Sequence, residues 1–206
     1  MVSPQFLNIG TSTATPLQSI RPVGDSLSDN VVVQTLTPYG YTATAYMWID
    51  YAGESGNQEA WVDPDTYEIV EGVTFEPGQG LWVQGSESGQ SLQTAGKVGA
   101  SDVTVTLREG ATGTGNPFPV SVALQDILPS GTDLSDNVVI QTLTPYGYTA
   151  AAYMWIDYAG ESGNQQAWVD PDTYEIVSDV TFAPGQGLWV QGSSSAQSIT
   201  FPAPEL

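Results

Sequence analysis

From Asn30 the chain reads Val31-Val32-Val33-Gln34-Thr35-Leu36, a β-branched run with Asp-Asn before it and Pro-Tyr-Gly after it. Such a run between turn residues predicts a strand. A second strand is predicted over 41–50, with Pro38-Tyr39-Gly40 as the hairpin-like turn between the two. Residues 52–57 read as a Gly/Ser/Asn loop, 59–62 as a short strand, and Asp63-Pro64-Asp65 as a further turn. Residues 67–75 hold one strand or two short ones. Pro77-Gly78-Gln79-Gly80 then turns into Leu81-Trp82-Val83-Gln84, and Ser91-Leu92-Gln93 closes the series. No window keeps helical periodicity for three turns. Short strands at this spacing predict a β-sandwich or barrel.

The pattern is then written again. Residues 134–193 repeat 27–86 at a constant offset of 107, and only six of the 60 aligned positions differ. The six are Val33/Ile140, Thr44/Ala151, Glu59/Gln166, Glu71/Ser178, Gly72/Asp179 and Glu76/Ala183. A fixed period of this size marks one structural unit used twice. The expected fold is therefore all-β: two tandem β-sandwich modules, Ig-like or jelly-roll-like, from an internal duplication. Their expected limits are 1–97 and 98–206, with 98–107 as a connecting strand. Ahead of the first repeat, residues 1–24 read as an irregular lead with one apolar patch, Phe6-Leu7-Asn8-Ile9.

Two features bear on contacts. In Tyr46-Met47-Trp48-Ile49 one strand face carries Tyr46 and Trp48 and the other Met47 and Ile49, so both are apolar. Val31-Val32-Val33 and Leu81-Trp82-Val83 share that character, so the second face is expected to need cover from a loop or another chain. The second feature is Asp102-Val103-Thr104-Val105-Thr106-Leu107, an alternating strand in module 2. Residue 108 aligns with residue 1, so module 1 has no aligned counterpart of it. An unpaired strand edge attracts another strand, and 6–9 is a candidate donor to a neighbouring chain; alternatively 102–107 completes module 1, or 1–9 folds back on its own module.

Composition removes many functions. The chain of 206 residues has no Cys and no His, which excludes thiol and Ser-His-Asp catalysis and the commonest transition-metal ligands. Arg21, Lys97 and Arg108 are the only cations against 23 acids, a net charge of −20 that repels nucleic-acid phosphates and anionic lipid. No run approaches the length of a membrane-spanning helix. Few charges, abundant Gly, Ser and Thr and scarce Lys point to a secreted or cell-surface protein. No pair of carboxylates is marked for glycoside cleavage, and no enzyme is expected.

Gly115-Asn116-Pro117-Phe118-Pro119 is followed by Leu124-Gln125-Asp126-Ile127, Tyr153-Met154-Trp155, Trp168-Val169-Asp170 and Pro184-Gly185-Gln186-Gly187-Leu188-Trp189-Val190. This order resembles β-sandwich repeat modules of large secreted or surface proteins of Gram-negative bacteria, which carry GNP(F/Y)P … LDI … YxW … WVD … PGQGFWV. The resemblance covers most of module 2, and module 1 from Leu17. At the GNPFP position the first module has Asn8-Ile9-Gly10-Thr11-Ser12, so its opening corner is expected to be built differently. The resemblance implies an extracellular structural module with no assigned chemistry.

The resulting expectation is a non-enzymatic structural protein that self-assembles with copies of itself into a filament, fibre or layer, joined by strand complementation. Its expected interface comprises Phe6, Leu7, Ile9, Val32, Tyr46, Trp48, Trp82, Val103, Val105, Tyr153, Trp155 and Trp189. The alternative is an adhesin-like module that binds carbohydrate or other surface proteins through an exposed aromatic set, Tyr46, Trp48, Trp61 and Trp82 with their copies Tyr153, Trp155, Trp168 and Trp189. The acidic loops, with Asp50, Glu54, Asn57 and their copies Asp157, Glu161 and Asn164 beside them, make Asp63, Asp65, Asp170 and Asp172 candidate Ca²⁺ ligands, although Asp-Pro-Asp is also an ordinary turn.

Overall fold

The computed structural model describes residues 5–8, 13–53, 56–86, 90–95, 99–144, 146–160, 163–194 and 196–205. The first part of the chain contains β1 (Gln5–Asn8), β2 (Thr15–Pro16), β3 (Arg21–Val23), β4 (Val32–Leu36), β5 (Thr42–Gly53), β6 (Gly56–Val62), β7 (Thr74–Phe75), β8 (Gly80–Gln84) and β9 (Ser91–Gln93). The second contains β10 (Val103–Thr106), β11 (Gly110–Gly115), β12 (Val122–Ala123), β13 (Leu128–Ser130), β14 (Val139–Leu143), β15 (Thr149–Gly160), β16 (Gly163–Val169), β17 (Thr181–Phe182), β18 (Gly187–Gly192) and β19 (Ser198–Phe201). The fold is all-β, in several separate sheets.

Pairing follows the repeat. One five-stranded sheet has the order β1-β8-β4-β5-β6 and the other β11-β18-β14-β15-β16. Their registers are the same at the offset of 107: Val33 opposes Tyr46 and Val83, and Ile140 opposes Tyr153 and Val190. The hairpin β5–β6 is longer than the sequence suggested. Ala52 opposes Asn57 and Gly53 opposes Gly56, so pairing continues through the stretch read as a loop. In 67–75, by contrast, pairing is limited to an isolated bridge at Ile69 and the two residues of β7.

Strand alternation sorts the two faces of each sheet. Inward, Val33, Trp48, Trp61 and Leu81 pack with Leu17, Ile20 and Phe75. Trp48 and Trp61 oppose each other and meet edge to face, with centroids 5.4 Å apart at 68°, a favourable ring geometry. The Trp61 indole Nε1 donates to the Ile20 carbonyl at 2.9 Å. Trp155, Trp168 and Ile127 repeat the arrangement. The outward face carries Val32, Met47, Ile49, Ala60 and Val62 as a second cluster, with Met154, Ile156, Ala167 and Val169 as its counterpart. Apart from Val32, which is partly buried, these side chains are buried within the single chain, Ile49 to 1 % exposure, so no neighbouring chain is needed to cover them.

Strand β1 corrects two expectations. The lead around Phe6 is not irregular, and Gln5–Asn8 pairs antiparallel with β8 in its own repeat copy, as β11 pairs with β18. Gln5–Asn8 is thus used at home, and of the readings offered for this segment the structure shows the fold-back. Ile9 and the Phe6 side chain lie outside the described residues. Strand β10 likewise stays in its own copy, paired with β19.

The GNPFP corner is held by Asn116, which is fully buried. Its Nδ2 donates to the carbonyls of Val120 (2.7 Å) and Phe182 (3.0 Å), and its Oδ1 accepts from the Phe118 amide (2.9 Å). Asn116→Ala strands these buried groups, and each orphaned group costs about 1–3 kcal/mol. We expect the variant to lose ~2–4 kcal/mol in urea denaturation followed on the second copy.

Candidate functional site

Where the two copies meet, equivalent positions are used in both directions. Leu7 forms a bridge with Gln186 of the second copy. Thr114, the counterpart of Leu7, donates its hydroxyl to the carbonyl of Gly78, next to Gln79, the counterpart of Gln186. Such reciprocity is the mark of a two-fold-like contact. Gly78 (φ 77°) is required here, since a Cβ would come within 2.7 Å of a Val105 methyl. Val103 and Val105, expected at an interface, therefore lie against the other copy's turn within one chain.

Beside this junction is an open cleft of about 940 Å³ lined by both copies. The first contributes Gln34, Leu36, Tyr39, Gly40, Thr42, Trp82 and Gln84, and the second Gln141, Leu143, Tyr146, Gly147, Thr149, Trp189 and Gln191. These are seven pairs of the same residue at the repeat offset. Pairing explains the layout. Gln34 opposes Trp82 and Val32 opposes Gln84, so Gln34, Leu36, Trp82 and Gln84 project from the outward face. Gln141 opposes Trp189 in the same way.

The turn chemistry raises the rims. Gly40 (φ 80°) and Gly147 (φ 81°) supply the left-handed residue of each Tyr-Gly-Tyr turn. Tyr39 is left 81 % exposed and Tyr146 75 %. At Gly147 a Cβ would lie 3.5 Å from the Trp82 ring, so the first copy's tryptophan reaches across to the second copy's turn. Trp82 and Trp189 are half-buried.

Chemically the cleft offers flat rings and primary amides. The Thr42 hydroxyl donates to Gln34 Oε1 at 3.2 Å, which orients that amide. Among the lining residues Asp136 is the one carboxylate, and none is Lys or Arg. No cationic side chain among them faces an anionic ligand.

The remaining expected site residues lie elsewhere. Trp48 and Trp155 are 2 % and 4 % exposed in the inward cores, out of reach of any partner. Tyr46 and Tyr153 pack edge to face on Phe75 and Phe182. Burial, with a smaller effect from the Asp170 charge, raises the Tyr153 phenol above its usual value. Val32 belongs to the outward apolar cluster. Asp63 Oδ1 accepts from the amides of Asp65 (2.8 Å) and Thr66 (3.1 Å), and Asp170 does the same for Asp172 and Thr173. These carboxylates cap their turns, and among the described residues no three acidic side chains converge on a metal-sized site. Glu54 and Glu161, and the side chains of Asn57 and Asn164, lie outside the described residues.

Trp82 and Trp189 stand out as site residues in the sequence, whereas Tyr39, Tyr146 and the four glutamines do not. The available signal was alternation, which puts Gln34 and Gln84 on the face that also carries Val32. Among the described residues no helix is long and apolar enough to cross a membrane. Compared with known proteins, the chain matches no family model, no curated protein and no solved structure at a significant level.

Proposed function

We propose that the chain is a non-enzymatic secreted or surface protein, built of two tandem β-sandwich modules, that binds a neutral polysaccharide in the cleft between them. The observation that carries this reading is the doubled lining of Trp, Tyr, Gln and Thr contributed by both copies. Indole and phenol rings stack on the C–H faces of pyranoses, and amides both donate to and accept from vicinal hydroxyls. The absence of cations among the lining residues selects against uronates and sulfated glycans. Open access along the cleft suits a polymer better than a small enclosed ligand. Binding is preferred to self-assembly because the apolar outward faces are already buried in one chain and β1 completes its own sheet.

Affinity electrophoresis tests the reading. In native gels cast with neutral β-glucan, mannan or xylan, migration should be retarded by at least one of them. Polygalacturonate should leave it unchanged. No retardation by any neutral polysaccharide at about 1 % in the gel would overturn the proposal.

A further inference from the structure

The cleft is not the same at its two ends. Beyond the seven pairs its lining continues on the second copy over Asp136, Asn137 and Ser193, whereas their counterparts Asp29, Asn30 and Ser86 lie outside it. The two tryptophans are also placed unequally. A Cβ at Gly147 would lie 3.5 Å from the Trp82 ring, but one at Gly40 would meet nothing within 4 Å, so Trp189 makes no reciprocal approach.

Asp136 and Asp29 sit in matching turns. Their backbones are left-handed, at φ 62° and 60°, a conformation that Asp adopts more readily than most residues. The Asp136 amide donates to the Trp155 carbonyl at 2.9 Å. The Ser135 hydroxyl donates to Asp136 Oδ2 at 3.3 Å and accepts from the Asp157 amide at 3.0 Å. The Asp29 amide and the Ser28 hydroxyl repeat these bonds with Trp48 and Asp50. Each copy thus holds a carboxylate at a fixed place, and the meeting of the copies brings only one of them to the cleft.

Resting on the reading of the cleft as a polysaccharide site, we propose that Asp136 is its specificity-determining residue. The carboxylate accepts from two adjacent hydroxyls of one sugar residue at the second-copy end. A carboxylate only accepts, through two oxygens, and such charge-assisted bonds are about twice as strong as those to an amide. The glutamines occur in both copies and both donate and accept, so they hold a sugar chain of either polarity. Asp136 has no counterpart in the first copy's share of the lining. It therefore sets which end of the polymer lies over the second copy, and its charge keeps a uronate from that place.

The test compares Asp136→Asn with Asp29→Asn in native gels cast with neutral β-glucan, mannan or xylan. Both variants lose one charge from the same kind of turn, so their mobilities in ligand-free gels should match. Asp136→Asn is expected to weaken binding by about tenfold and Asp29→Asn by less than about twofold. Equal weakening in the two variants, or unchanged binding in Asp136→Asn, overturns the role of Asp136 and leaves the polysaccharide cleft standing. If no neutral polysaccharide retards the unaltered chain, the cleft and the role of Asp136 fall together.

Discussion

Calorimetry of the whole chain is expected to show two unfolding transitions, with the first repeat copy melting first. The second copy buries Leu107, Phe118, Val122 and Phe201 in its core. At the positions of the last two the first copy has Thr15 and Thr94, and none of its described residues corresponds to Leu107. Burying one such aliphatic or aromatic side chain is worth about 1.5–3 kcal/mol. The difference between copies is therefore on the order of 5 kcal/mol after Thr15 and the packing of Leu92 are allowed for. For units of this size that separates the midpoints by about 20 °C. The assignment can be made with single variants. In the first copy the Gln18 amide donates to the carbonyls of Trp61 (2.8 Å) and Val70 (2.7 Å) and accepts from the Trp61 amide. Gln18→Ala should lower only the first midpoint, and Asn116→Ala only the second. One cooperative transition displaced by both variants would contradict the account.

The second large effect concerns the cleft. Trp82→Ala alone should weaken polysaccharide binding by about 100-fold, or ~2.8 kcal/mol, although Trp189 is untouched. Two identical copies with separate sites would behave otherwise, since loss of one tryptophan would leave half the capacity at full affinity. The shared lining and the approach of Trp82 to Gly147 make the two tryptophans parts of one surface. Trp189→Ala should match Trp82→Ala. Trp48→Phe, confined to the inward core, should leave affinity within about twofold and serves as the control for general damage.

Much of the framework was legible in the chain. The β-branched run at 31–36, the Pro-Tyr-Gly turn and the Pro-Gly-Gln-Gly turn appear where they were read, because strand propensity and turn chemistry are local. Elements that depend on pairing were not. Four residues around Phe6-Leu7 carry no period, and only the edge of β8 makes them a strand. Gly53 and Gly56 read as a loop by composition, yet a long hairpin aligns them. The cleft was the least visible part. Gln34 and Gln84 are ordinary polar positions within one copy, and they become a site only when the outward faces of two copies meet. Trp82 and Trp48 show the same limit, since each lies in an apolar run, but the pleat sends Trp48 to the core and Trp82 to the cleft.

The central claim is that two copies of one repeat build a single binding cleft. Isothermal titration calorimetry with a soluble fragment of whichever neutral polysaccharide retards the protein tests it most directly. The account predicts one ligand per chain and the loss of that one site in either Trp82→Ala or Trp189→Ala. Two ligands per chain, each abolished by its own tryptophan substitution, would contradict it.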